Sequence, residues 1–172
     1  MRKQRKNGAS LRMVNIWLET NSSFYNREGK YLICPINSEY VQNHRLYQVM
    51  TEPRKGDIVF HYFVYESKKK INIIKSYSRV VDRFYEVAEQ DEFCQYSPPY
   101  RKIDLESNTQ LNVKVTHEML KEKREEIELI CKMFNKSRTP FDKNFRFKQM
   151  YLSRIPPGLA DILGMLSETK IH

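Results

Sequence analysis

Carboxylates are missing from the start of this chain. Five lysines and arginines stand between Arg2 and Arg12, and the first acid is Glu19. Acids are in deficit throughout: 21 Asp and Glu face 30 Lys and Arg, for a formal charge of +9. Such an excess favours a polyanionic partner, because each neutralised phosphate releases condensed counterions; a plain solvated basic surface is the other reading of the same balance. Glycine and proline are scarce, at five and seven of 172 residues, which excludes a low-complexity chain. Five scattered glycines also leave no GxGxxG fingerprint and no Walker loop. The three cysteines, Cys34, Cys94 and Cys131, form no CxxC pair, so a disulfide framework is not expected. Each sits beside apolar or aromatic residues, which predicts buried, reduced thiols and a reducing compartment. His44, His61, His117 and His172 have no metal-ligand spacing to one another or to cysteine, and neither a metal nor a cofactor is expected. The longest apolar run, Ile58 to Tyr65, contains His61 and is far too short to span a bilayer. With no signal-peptide apolar stretch after the basic N-terminus, the chain reads as cytoplasmic and without a membrane partner.

What is present is the material of a core: 40% apolar residues, including eleven Tyr, nine Phe and one Trp. A chain of this length buries roughly two-thirds of its unfolded surface without any staple. Residues 1–12 read as a flexible basic arm, 13–166 as one domain, and 167–172 as a tail or the start of a linker to a further domain. Apolar strands fit Met13 to Leu18 and Tyr31 to Cys34, and the polar stretch from Thr20 to Gly29 between them has the composition of a loop over a site. Pro53 to Asp57 is a turn, with Gly56 available for positive φ. The run IVFHYFVY that follows is nearly all β-branched or aromatic, the mark of a strand buried on both faces. Glu66 to Lys70 forms a charged hairpin turn, Ile71 to Ile74 returns as a strand, and Arg79 to Tyr85 and Lys102 to Leu105 are further strand candidates. Thr116 can cap a helix reaching about Phe134, with Leu120, Ile127, Cys131 and Phe134 on one stripe. Pro157 opens a second, short amphipathic helix. Short strands joined by polar turns, with helices only late in the chain, predict an α+β fold around a curved antiparallel sheet or small barrel.

Catalytic constellations are hard to find. No nucleophile elbow is present. Asp57, Asp104 and Glu106 are the carboxylates on which a small metal-dependent nuclease or toxin would rely, but they lack a convincing D…ExK spacing. The mixed-charge run KEKREEIE reads as a solvated helix face, which an adaptor protein would use as its interface. Two segments instead interleave cations with aromatics. Lys132 to Arg154 holds seven basic residues and one acid around Phe134, Phe141, Phe145, Phe147 and Tyr151. Arg54 to Arg79 holds seven more around His61, Tyr62, Tyr65 and Tyr77. Aromatic faces can stack on bases while flanking cations hold phosphates, so the mixture suits an unpaired or flipped-out base; at least half of these aromatics belong to the core.

Five motifs, in order, resemble those of EVE domains of the PUA-like superfamily. VNIWLETNSSFYNREGKYLICP resembles the family's opening strand, polar loop and "GYLxxP" strand. RLYQVMTEPRKGDIVFHY is similar to its aromatic, basic-GD and "FHY" segment. IIKSYSRVVDRFYE and PPYRKIDLE resemble the strands that follow, and FRFKQMYLSRIPPGLADIL its closing segment. The match covers roughly residues 13 to 166. It departs from the family at Tyr47, where Trp is usual, and at Met150, where Gly usually follows the Gln. The resemblance implies a PUA-like curved antiparallel sheet or barrel flanked by helices, with no catalysis in this chain. It further implies a specificity module that reads a modified, methylated, flipped base in DNA for a modification-dependent restriction system, in antiviral defence. A McrBC-type AAA+ GTPase or an HNH-type nuclease would be fused to it or partnered with it. A PUA-like RNA-binding domain is the alternative.

On that reading the base pocket draws on Trp17, Tyr47, His61, Tyr62, Ser76, Ser78 and Gln149. Trp17 and Tyr47 each serve either as a stacking wall or as core. One of His61 and Tyr62 must face inward, and at least one of them is structural. Ser76 and Ser78 offer hydroxyls, Gln149 offers a bidentate amide, and Asp57 closes its turn. Arg54, Lys55, Lys75, Arg79, Lys143, Arg146 and Lys148 are the candidate contacts to the nucleic-acid backbone.

Overall fold

The computed structural model describes residues 13–21, 29–36, 48–66, 69–92, 94, 96–134, 139–148 and 150–171. The strands are β1 (Ile16–Asn21), β2 (Tyr31–Pro35), β3 (Ile58–Glu66), β4 (Lys69–Val80), β5 (Tyr85–Val87), β6 (Tyr100–Thr116) and β7 (Leu152–Ile155). The helices are α1 (His117–Glu122), α2 (Arg124–Phe134) and α3 (Pro157–Leu166), and a short 3-10 turn spans Val49–Thr51. The sheet runs β2-β6-β4-β3-β1-β7, with β5 paired to β6. Every pairing is antiparallel except β1 with β3, which is parallel. The seven strands and three helices form an α+β curled half-barrel. The curl depends on β6, whose first half pairs with β2 and β5 and whose second half pairs with β4. At the changeover Ser107 sits at φ 56°, and the β4–β6 register shifts nearby, so a bulge bends the strand from one part of the sheet to the other.

Period-two alternation sorts the side chains. Ile16 and Leu18 of β1, with Ile58, Phe60, Tyr62 and Val64 of β3, face a core completed by Leu120, Ile127 and Cys131 of α1 and α2 and by Leu159, Ile162 and Leu163 of α3. Trp17 and Val59 face the concave side, with Leu32, Cys34, Ile103 and Leu105. The strand IVFHYFVY is buried on both faces from Ile58 to Val64.

Several boundaries move from their expected places. β1 begins at Ile16 rather than Met13, because the Asn15 N–H is taken by the Asp57 carboxylate and its carbonyl by the Ile58 N–H, which starts the ladder there. Met13 and Val14 lie exposed before it. The strand expected over Arg79 to Tyr85 is split: β4 ends at Val80, the Asp82 carboxylate accepts the Arg83 N–H, and pairing resumes at Tyr85. The single helix expected from Thr116 is two, parted at Lys123, while Thr116 caps the first by accepting the Met119 N–H. Cys34 and Cys131 are buried, but Cys94 is only half-buried, and none of the three is in a disulfide. Among the described residues no helix is long and apolar enough to cross a membrane, and no group of three or more His, Cys, Asp or Glu could hold a metal ion. Residues 1–12, Tyr47, Gln149 and most of the expected loop after Asn21 lie outside the described residues.

Candidate nucleic-acid interface

On the concave side, three adjacent strands place polar side chains in one row. β1 and β3 align Glu19 with His61, and β3 and β4 align His61 with Ser76 and Val59 with Ser78. Residues paired across a ladder share a face, so these side chains point the same way. His61 Nδ1 lies 2.7 Å from Glu19 Oε2, and Nε2 lies 2.9 Å from Ser78 Oγ. A carboxylate only accepts, so it orients the ring through an Nδ1–H donor and leaves Nε2 to the serine. All of them are buried: Ser76 and Ser78 are 0% exposed, His61 1% and Glu19 3%. Ser76 Oγ has no hydrogen-bond partner among the described residues. A buried polar chain of this kind costs stability wherever it is incompletely satisfied, in a place where valine or leucine would pack at no such cost.

Gly29 closes over the row. Its backbone takes φ 64°, and a Cβ there would come within 2.6 Å of Ser78 Oγ and of Asn108 Cγ. Only glycine admits both the left-handed conformation and this approach. The rim above is polar: Asn108 and Gln110 of β6 and Lys30 are exposed, and Gln110 is registered opposite Ser76. Farther along β3, Phe63 stands opposite Asn21, with Lys75 Nζ 4.4 Å from its ring centroid.

Glu19–His61–Ser78 has the connectivity of a carboxylate–imidazole–hydroxyl relay, but not its surroundings. Besides His61, the close neighbour of Ser78 Oγ is the Gly29 carbonyl oxygen at 3.4 Å, an acceptor where an oxyanion needs donors. Of the three carboxylates considered for a nuclease, Asp57 and Asp104 are engaged in hydrogen bonds, and Glu106 is exposed on β6. Asp57 is 1% exposed and accepts from Trp17 Nε1 at 3.0 Å, Arg54 N at 3.0 Å and Asn15 N at 3.1 Å. Asp104 accepts from the Tyr85 hydroxyl at 3.0 Å. Asp57 thus closes its turn, as its position after Gly56 (φ 85°) predicts.

The expected pocket residues separate into groups. His61, Ser76 and Ser78 come together. Trp17 lies beneath them as a core residue, 1% exposed, with its indole N–H held by Asp57; it is no open stacking surface. Tyr62 points to the opposite, helix-side core, edge-on to Phe147 at 5.0 Å, with its hydroxyl donating to Asn72 Oδ1 at 3.0 Å. Burial there pushes its phenol up to about 12, so it stays a neutral donor. Phe141, Phe145 and Phe147 are core as well, stacked at 4.4 and 4.5 Å, because the Asp142 carboxylate accepts the N–H groups of Asn144 and Arg146 and folds the loop inward.

Among the cations, Lys55, Lys143 and Arg146 are exposed, whereas Arg54 and Arg79 are half-buried and donate to the backbone carbonyls of Pro53 and Gly56. Lys148 lies at the end of β1, its carbonyl accepting from Thr20 Oγ1 at 3.3 Å. Sequence reasoning missed Glu19, Gly29 and Asn108. For Glu19 a signal existed: a carboxylate inside the apolar run IWLET is either a surface residue or a buried partner of something distant.

No family model matches the sequence, and no curated protein matches it. Solved structures do match in fold. The human THYN1 protein, in complex with DNA containing 5-methylcytosine, is 12% identical with a TM-score of 0.55, covering 91% of this chain and 99% of that one. The DUF55 domain of human thymocyte nuclear protein 1 is 14% identical with a TM-score of 0.56, covering 90% and 99%. The N-terminal domain of McrB from Staphylothermus marinus is 14% identical with a TM-score of 0.51, covering 87% and 93%. At these identities the likeness is one of fold, and at that level the structural neighbours of this chain include the DUF55/EVE domain and the McrB N-terminal domain.

Proposed function

We propose that this chain is a DNA-binding specificity module, without catalysis of its own, whose concave polar row reads a flipped, modified base for a modification-dependent restriction system. The observation that carries the reading is the buried Glu19–His61–Ser78 chain, set in a sheet whose other face is a continuous apolar core. Stability alone gives no reason for these groups; recognition of a polar edge does. A carboxylate suits an exocyclic base amine, and fixed hydroxyl and imidazole groups penalise an edge that leaves them unpaired. The fold supports the reading, since THYN1 holds 5-methylcytosine-containing DNA on the same architecture. Lys75, Lys143, Arg146 and Lys148 supply sequence-independent affinity to phosphates, and a methyl group adds little apolar burial, so discrimination between modified and plain DNA is modest, about tenfold.

The test is fluorescence anisotropy on duplexes carrying 5-methylcytosine, 5-hydroxymethylcytosine, N6-methyladenine or no modification, at fixed moderate salt. Wild type should prefer one modification. Glu19→Gln should flatten the preference, and Arg146→Glu with Lys148→Glu should weaken every duplex alike. Identical wild-type affinity across the panel removes base reading and leaves a general binder. In parallel, plasmid incubated with the pure chain and magnesium should stay intact; cleavage abolished by Asp104→Ala would reverse the non-catalytic assignment.

A further inference from the structure

Among the described residues, the hairpin of β3 and β4 runs on past the rest of the sheet. β3 pairs with β1 only as far as Asn21–Phe63, and β4 pairs with β6 only from Ile73–Thr116. Beyond those pairs, among the described residues, the two strands pair only with each other, at Tyr65–Lys70 and Glu66–Lys69. Lys69 and Lys70 are exposed at the outer end of this two-stranded ribbon. The ribbon is held firmly at its base. Asn72 takes φ 49° where the register shifts, its side-chain oxygen accepts from the Tyr62 hydroxyl, and Tyr65 packs on the helix-side core. A bulge at such a place re-aims the strands beyond it.

We propose that this ribbon is the element that enters the major groove of a B-form duplex, with Lys69 and Lys70 against the phosphates that line it. The inference rests on the base-reading function above and adds the duplex contact to it. Two strands about 4.8 Å apart fit a groove about 12 Å wide, which admits a two-stranded ribbon as readily as a helix. Lys70 and Lys69 lie six and seven residues along β4 from Ser76, roughly 20–24 Å at strand rise. That places them about six to seven base pairs from a base held against the polar row, at 3.4 Å per pair. The same hairpin thus carries the base-reading residues at one end and the phosphate-binding pair Lys69 and Lys70 toward the other. A-form RNA, whose major groove is deep and narrow, offers the ribbon no such entry.

The experiment compares wild type with Lys69→Ala/Lys70→Ala on three probes: the preferred modified DNA duplex, its unmodified counterpart and an RNA duplex of equal length. Each is titrated by anisotropy at several salt concentrations. The expected result on both DNA duplexes is a salt slope shallower by about two, with ten- to a hundredfold weaker binding at 0.1 M salt. The modified-to-unmodified ratio should not change, and the RNA duplex should show little loss. Both side chains are exposed, so an unchanged melting temperature is expected and confirms the fold. An unchanged slope on DNA, or an equal loss on RNA, overturns the ribbon assignment while leaving base discrimination intact. Loss of slope on DNA without any wild-type discrimination keeps the ribbon and removes the base-reading function. A wild type that binds no duplex overturns both.

Discussion

The two faces of β1 and β3 are built from alternate residues of the same strands, yet they do different things. On the helix side, Ile16, Leu18, Ile58 and Phe60 belong to the main apolar cluster and are 8% exposed or less. On the concave side the same two strands present Trp17 and Val59 at one end and Glu19 and His61 further on. The difference teaches where function sits. The helix face is a core that any well-packed apolar set could replace, whereas the concave face holds buried groups whose cost has no packing return.

The comparison breaks most visibly with Phe60, the largest fully buried side chain on the helix side. Phe60→Ala should cost roughly 3–5 kcal/mol in urea unfolding, from lost burial and the cavity left behind, and should leave the base preference of the surviving fold unchanged. A cost below about 1 kcal/mol would mean that this face is not the stabilising one.

The concave face should answer differently. Glu19→Ala or His61→Ala alone should cost about 1–3 kcal/mol, because each leaves a buried partner unpaired. The double change Glu19→Leu/His61→Leu should cost less than either single change, since both ends of the pair become apolar together. It should nevertheless abolish base discrimination in the anisotropy panel. Additive costs in the double variant would show that the pair is held for stability and sink the contrast between the faces.

The smallest effect concerns pH and belongs to the helix side. Hydrogen bonds from the Arg146 and Asn144 backbone N–H groups hold the Asp142 carboxyl below the ordinary carboxylate range. A carboxyl lowered in the folded state contributes stability above its unfolded value and loses it as pH falls through the folded one. Asp142→Asn should therefore flatten the fall in melting temperature below about pH 4 and change little at neutrality. The group is largely exposed and screened, so the difference should stay within about 0.5 kcal/mol. A larger loss at neutral pH would show that the Phe141–Phe145 loop depends on Asp142 for more than this turn.

Much of the scaffold was legible from local pattern. β3 announces itself through IVFHYFVY, the turn before it through Pro53 and Gly56, α1 through its Thr116 cap and α3 through Pro157, because each rests on residues within a turn or two of one another. The curl of β6 was not legible. Its bend is at Ser107, a residue type with no special liking for a left-handed backbone, and the reason for it lies in partners on two different parts of the sheet. The interleaved aromatics of residues 132–154 showed the same limit. Composition suggested stacking surfaces, but Phe141, Phe145 and Phe147 are core because the Asp142 turn folds them inward.

By itself, then, the sequence determined β2, β3 and the turn before β3, the starts of α1 and α3, the positive charge and the motif order that resembles EVE domains. Tertiary structure alone decided which polar residues meet. Glu19, His61 and Ser78 are separated by 42 and 17 residues, and they touch only because a parallel β1–β3 pairing and an antiparallel β3–β4 pairing fall into one register. A shift of one residue in either ladder would send one member to the opposite face, and no local propensity encodes that choice.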